Sequence, residues 1–286
     1  MTRRQEILKA IDDFRAPSTS TVQLMNLLRD PEADTDKTVQ QIQYQPDLTA
    51  QLLRFANSAA YGVAGSIRSV REAFVRLGTA KILEIVTMAF AHSKMQAVVE
   101  GYGLGRGDLW DHSIAVGITA EEIARALKIQ APDVTFTAAI LHDIGKAVLG
   151  SFVAEKIAQI EKRLLEVGGA FDDEERESLG IDHAEVGAII LTKWELPAEL
   201  VDTVRCHHRP GDGKIDQLMT DIVHVADALC LSGGFGTGRD GLRYRPSKSA
   251  LLRLKINIHV LELAACEAAP RIAEVRTLFA DAKKGR

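Results

Sequence analysis

The stretch Ala139-Ile-Leu-His-Asp-Ile-Gly-Lys146 places a histidine, an aspartate and a lysine inside an otherwise apolar run. Removing such groups from water costs free energy unless they are paired, hydrogen-bonded or bound to metal. The spacing predicts a helix that starts at Pro132-Asp133 and continues through this stretch to Leu149, with His142 and Lys146 one turn apart and Asp143 beside them. The three side chains can therefore converge on one small volume. Gly145 weakens helical propensity at the same place, which suits a bend, a close backbone approach or simple helix packing.

Working outward, Leu109, Val116, Ile123 and Leu127 form one face of a helix over Leu109–Lys128, and His112 falls in the same stripe. A lone histidine so placed is more often a hydrogen-bonded core residue than a ligand. Gly180-Ile-Asp-His-Ala-Glu-Val-Gly187 opens another helix, with Asp182 as its cap, Glu185 reaching back and His183 in the first turn. That helix ends near Trp194-Glu-Leu-Pro197, and the next one stops at Cys206-His-His-Arg-Pro210. His207 and His208 lie at its carboxyl end, where the macrodipole also suits a plain solvated pair of imidazolium caps. In Asp221-Ile-Val-His-Val-Ala-Asp227, His224 and Asp227 sit three apart in an apolar helix, and one of them is expected to face a polar centre. Together, neutral imidazoles and carboxylates suit a pair of divalent transition-metal ions, iron, manganese or zinc, with an aspartate able to bridge them.

Helical spacing dominates the rest of the chain, in Val22, Met25, Leu28, in Leu48, Leu52, Phe55, in Val70, Phe74, Leu77 and in Ile82, Ile85, Val86. Alternating strand patterns are nearly absent, so the fold class is all-α, with a dozen or more short helices. Two glycine-rich breaks, Gly101–Gly107 and Gly233–Gly241, read as loops or linkers. The first divides an amino-terminal helical lobe, 1–105, from a lobe over 106–286 that holds seven of the eight histidines. Gly236, Gly238 and Gly241 fit a GxGxxG pattern, but a helical segment rather than a strand precedes them, so a flexible loop is expected instead of a dinucleotide site.

With 35 basic and 39 acidic residues the formal charge is −4, and no basic excess favours nucleic acid. Arg54, Arg68, Arg71 and Arg76 read as a solvated face. Three scattered cysteines without a CxxC pair argue against a disulfide scaffold and fit a reducing cytoplasm. The amino terminus has no apolar signal core and no later run reaches spanning length, so no membrane association is expected.

The series Leu-Trp-Asp-His112, Leu-His142-Asp143-Ile-Gly-Lys146, Asp-His183-Ala-Glu-Val-Gly, Trp194-Glu-Leu-Pro197, His207-His208 and Val-Ala-Asp227 resembles the HD metal-dependent phosphohydrolase superfamily. Gln45-Pro-Asp-Leu-Thr-Ala-Gln-Leu-Leu-Arg-Phe-Ala-Asn57-Ser58-Ala-Ala-Tyr61 and Ile67-Arg-Ser-Val-Arg-Glu-Ala-Phe-Val-Arg-Leu-Gly78 are similar to its HDOD branch, the HD-related output domains of bacterial signalling proteins. The likeness runs from about Ala16 to beyond Asp227, as one HDOD unit. It implies an all-helical bundle with an amino-terminal helical lobe and a role beside signalling partners. Many HDOD proteins lack parts of the metal set, whereas here His112, His142, Asp143, His183, His207, His208 and Asp227 all match positions that bind metal in the HD-GYP cyclic di-GMP phosphodiesterases. After the histidine pair the likeness fails: Arg209 stands where those enzymes have glutamate, and Ile215-Asp216-Gln217 replaces Gly-Tyr-Pro.

The resemblance thus implies a cytoplasmic output module with a retained metal site, slow or absent turnover and protein partners. Its alternative is a metal-dependent phosphodiesterase or phosphohydrolase acting on a nucleotide ligand, with Asp143 and Lys146 in catalytic roles. Asn57 and Ser58 match the family pattern, but helix-end hydrogen bonds are the preferred account of both.

Overall fold

A computed structural model describes residues 1–14, 18–61, 66–241 and 244–281. Ala16, the expected start of the resemblance, lies outside them. Among the described residues all regular elements are helical, and the sole β feature is an isolated bridge between Val99 and Leu104. The chain divides into two compact units, Met1–Ala16 with Lys94–Ala268, and Pro17–Ser93 with Ala269–Arg286.

The larger unit begins with α1 (Arg3–Asp13). The smaller contains α2 (Thr19–Arg29), α3 (Thr35–Gln43), α4 (Pro46–Ala56) and α5 (Val70–Lys94). The larger resumes with α6 (Asp108–Leu127), α7 (Thr135–Leu141), α8 (Lys146–Glu166), α9 (Phe171–Leu179), α10 (His183–Lys193), α11 (Ala198–Cys206), α12 (Gln217–Ser232) and α13 (Lys248–Arg253), and α14 (Ile258–Asp281) contributes to both.

This division corrects the expected one at residue 105. Helix α1 belongs to the larger unit because Arg3 and Arg4 pair with Glu155 and Glu185, Asp12 pairs with Lys193, and the Phe14 ring stacks on Trp194 with centroids 5.8 Å apart. The carboxyl-terminal part of α14 belongs to the smaller one, where Phe279 packs against Phe55 at 4.9 Å. Glu185 is drawn to Arg4 rather than back to the start of α10, so Asp182 caps that helix alone, accepting from the Glu185 N–H at 2.7 Å.

In the smaller unit Leu52, Phe55, Phe74, Ile82, Ile85 and Val86 are buried, as their spacing predicts. Gly78 breaks α5 with φ 77°, a conformation that favours glycine. Asn57 accepts from the Ile67 N–H and donates to the Leu53 and Ile67 carbonyls, and Ser58 donates to Phe55 O, so both make helix-end hydrogen bonds.

The predicted helix through Ala139–Lys146 is not uniform. Between α7 and α8 the backbone tightens, with Ile144 N–H bonded to Leu141 O, Lys146 N–H to Asp143 O and Ala147 N–H to Ile144 O at 3.0–3.2 Å. Such i to i−3 turns change the side-chain phase while carrying the chain onward. Thr135–Glu166 consequently makes one helical path of 32 residues with an apolar window inside it long enough to span, which corrects the expectation that no run reaches spanning length; 83% of that window is buried, as in a core helix.

Gly145 is required at this turn by close approach. A Cβ there would overlap the His183 carbonyl oxygen and lie 2.7 Å from Gly187 N, both backbone atoms of α10. Gly145→Ala is expected to lower unfolding free energy by about 3 kcal/mol, the upper range for overpacking. Gly211→Ala, where a Cβ meets open space, should stay within about 0.5 kcal/mol. Urea denaturation of both variants checks this, and equal stabilities would refute the close-approach argument.

Candidate metal centre

Five parts of the larger unit supply the site. His112 comes from α6, His142 and Asp143 from the tight turn, His183 from the first turn of α10, His207 and His208 from the end of α11, and Asp227 from α12. They form two donor groups, Asp143 with His183, His207 and His208, and His112 with His142 and Asp227; within each, the possible ligand atoms lie within 4.8 Å of one another. Asp143 also reaches the second group. Its Oδ1 lies 3.4 Å from His183 Nε2 and 3.8 Å from His207 Nε2, while Oδ2 lies 3.3 Å from His142 Nε2 and 3.6 Å from His112 Nε2. All seven residues expected from the sequence are therefore brought together.

The imidazoles are oriented from behind. Nδ1 of His142 donates to Ala139 O, that of His207 to Val204 O and that of His112 to Phe235 O, at 2.7, 2.7 and 2.9 Å. His183 Nδ1 faces Glu175 Oε2 at 2.7 Å, and Tyr102 Oη donates to Glu175 Oε1 at 2.5 Å. Fixing Nδ1–H in this way turns the Nε2 lone pair inward, the usual arrangement behind metal-bound histidines. His208 stacks on Tyr244 with centroids 4.0 Å apart and its Nε2 lies 2.8 Å from that of His183.

His142 Nε2, His207 Nε2 and both Asp143 carboxylate oxygens are buried without a hydrogen-bond partner. The Lys146 ammonium is 2.8 Å from Asp143 Oδ2, close enough for ion pairing but not aligned as a hydrogen bond. Buried polar atoms are seldom left unbonded, and four converging ones match the donor set of a divalent-metal site. The residues present fit a metal pair.

Protonation follows the same geometry. Burial, reinforced by the His142 and His183 charges, pushes the His207 pKa down to about 3 and holds His208 well below the ordinary range, so both offer neutral lone pairs. Burial also works against charge on His183, but the Glu175 carboxylate outweighs it and raises the pKa to about 9. Burial favours neutral Asp143 and Asp227, yet neighbouring His142 and Lys146 keep Asp143 well below the carboxylate range, and the His112 hydrogen bond with the His142 charge brings Asp227 to about 2.

His224 lies outside the centre. Its Nδ1 donates to His207 O and its Nε2 accepts from Ser247 N–H, at 2.6 and 2.7 Å, so it braces the turn that carries His207. Of the pair His224 and Asp227, it is Asp227 that faces inward.

Both glycine-rich segments, expected as loops or linkers, line this region. Gly101 packs so closely on the Gly150 carbonyl that a Cβ would overlap it, which places Tyr102 over Glu175 and Lys146. Arg239 N–H donates to Tyr102 O at 2.8 Å, and Asp240 Oδ2 accepts from Lys146 Nζ at 2.6 Å. Asp240, Glu175, Tyr102 and Phe235 O were not expected from the sequence. An acid within a glycine-rich loop was the available signal for Asp240; Glu175 sits in the acidic run Asp172–Glu177, which reads as a solvated helix start.

Comparison with known proteins places this geometry. The sequence profile described as HDOD domain matches residues 16–210. A solved structure of a proposed phosphohydrolase from Shewanella amazonensis SB2B is similar over 95% of this chain and 97% of its own, with TM-score 0.72 and 22% identity. A proposed signal transduction protein from Marinobacter aquaeolei VT8 is similar over 96% of this chain and 64% of its own, with TM-score 0.69 and 20% identity. An uncharacterized protein of Treponema pallidum (strain Nichols) is 24% identical over 203 residues, 71% of this chain, and the chain spans only 39% of that relative's length. At these identities the structural likenesses establish the shared helical fold.

Metal binding at His183 Nε2 must displace the proton that the Glu175 carboxylate keeps there by stabilising the imidazolium from the Nδ1 side. With a His183 pKa of about 9, uptake of a divalent ion by chelator-stripped protein at about pH 7.5 should release about one proton or more, with release declining as the pH passes 9. Calorimetric titration in buffers of different ionisation enthalpy measures this; a buffer-independent enthalpy would mean that His183 is already neutral.

Proposed function

This chain belongs to the HDOD domain family, and from that premise we propose that it is a signal-transduction output module whose larger unit holds a pair of divalent transition-metal ions. The observation that carries the reading is the Asp143 carboxylate, buried without hydrogen bonds and facing the Nε2 atoms of His142 and His112 with one oxygen and those of His183 and His207 with the other. His112, His142 and Asp227 would hold one ion, His183, His207 and His208 the other, with Asp143 shared. Such ions supply Lewis acidity and lower the pKa of bound water.

That chemistry also favours a second reading, hydrolysis of a phosphodiester such as cyclic di-GMP. Three features weigh toward the module. Lys146, the residue available to neutralise a phosphate, is buried and already engaged by Asp143 and Asp240. The segment after the histidine pair serves the fold: Arg209 pairs with Asp172 and Asp173, Asp216 caps α12, and Gln217 donates to Pro210 O at 2.7 Å. In the smaller unit, an open groove of about 320 Å³ lined by Gln45, Leu48, Gln51, Val86 and Phe90 offers a surface for a signalling protein.

Mass-spectrometric metal analysis of untagged protein purified without chelator tests the reading. About two equivalents per chain are expected, falling below about one in Asp143→Asn, whose removed charge both donor groups share. Metal-free wild type that stays folded and takes up no added ion would overturn the metal-holding role.

A further inference from the structure

Asp240 reaches the centre differently from its neighbours. The seven candidate ligands lie on helices or in the turns that bound them, whereas Asp240 arrives on the glycine-rich segment 233–241. We propose that the Asp240 carboxylate occupies the place of a phosphoryl oxygen on Lys146, so that the chain keeps its metal ions while refusing phosphate-bearing ligands until the 235–240 segment is displaced. The inference rests on the metal-holding reading above and names the ligand class of the same site.

The geometry at Lys146 is the first support. Lys146 and Asp240 are 3% and 1% exposed, and Lys146 Nζ donates to Asp240 Oδ2 at 2.6 Å while standing 2.8 Å from Asp143 Oδ2. Because Asp143 borders both donor groups, an anion bound to the ions falls within reach of Lys146. With Asp240 in place, that ammonium is already matched by a carboxylate outside the two donor groups, and an arriving phosphate finds no unpaired cation at Lys146 in a poorly solvated site. The Tyr102 ring, 5.3 Å from Nζ, covers a further side.

The second support is the way the segment is attached. Phe235 O accepts from His112, and Arg239 N–H donates to Tyr102 O. Phe235 N–H also donates to Cys230 O at 3.0 Å, while the Arg239–Glu161 pair joins side chains that are 47% and 43% exposed, and exposed pairs hold weakly. Gly234 and Gly236 have φ of 83° and 63°, and a Cβ on Gly236 would overlap His112 Cβ, so glycines permit both the path and the contact. An anion carried on such a segment is more readily exchanged than one fixed on α6 or α12.

Binding of inorganic phosphate to the metal-loaded full chain tests this, read by phosphorus NMR line broadening with metal per chain and thermal melting measured on the same samples. Wild type and Lys146→Met should bind phosphate equally weakly. Asp240→Asn should keep its metal and bind at least about tenfold more tightly, as a freed charge-assisted contact predicts, and adding Lys146→Met should remove the gain. Three results would overturn the proposal: phosphate affinity in wild type that falls on Lys146→Met, an Asp240→Asn variant with unchanged affinity, or one that loses metal or fold and so marks Asp240 as a structural counter-ion. Wild type without metal would sink the metal-holding reading too, whereas normal metal with no gain in Asp240→Asn defeats only the phosphate proposal.

Discussion

The buried carboxylate of Asp143 is the constraint around which the larger unit is arranged. An ionised group removed from water and lacking hydrogen bonds is among the costliest features a core can contain, unless opposite charge surrounds it. Here four imidazoles and one ammonium approach it from α6, the α7–α8 turn, α10 and the end of α11. Each imidazole can do so because a carbonyl or carboxylate behind it fixes its Nδ1 proton. The backbone thus determines which nitrogen faces inward, and the centre depends on helix ends as much as on the ligands.

The same demand explains the tight turn. His142 and Asp143 must point toward one centre while α7 and α8 continue through the core, and a uniform α-helix would set their directions by a fixed 100° step. Bonds from i to i−3 alter that phase without ending the path, and the bare Cα of Gly145 lets α10 bring His183 close. Backbone, glycine and ligand are solving one geometric problem within eight residues of sequence.

Much of this was legible because it is local. Apolar spacing gave the helices, the cap at Asp182 is a short-range signal, and His142, Asp143 and Lys146 announce a polar cluster by lying together in an apolar run. The convergence of the five parts came from resemblance, since spacing has no information about contacts such as His112 with Asp227, 115 residues apart. What stayed hidden has the same cause. Asp240 meets Lys146 across 94 residues and Tyr102 meets Glu175 across 73, and glycine-rich composition signals conformational freedom whether or not a segment is packed. The lobe boundary was misplaced for the same reason: residues near the ends of the chain, Phe14 on Trp194 and Phe279 on Phe55, join partners distant in sequence.

Holding metal and processing phosphate make different demands on one pocket. The first needs inward lone pairs and anionic oxygens, and those are present in full. The second needs positive charge left over for the substrate, and here three cations of the larger unit are each engaged by carboxylates: Lys146 has Asp143 and Asp240, Arg209 has Asp172 and Asp173, and Arg176 has Asp172 and Asp182. Fold-level likeness to phosphohydrolases does not carry this distinction, because it resides in which acid faces each cation rather than in the helices. On the output-module reading proposed above, what would set the chain apart from a hydrolase is the partners of a lysine and two arginines rather than its inward-facing donors.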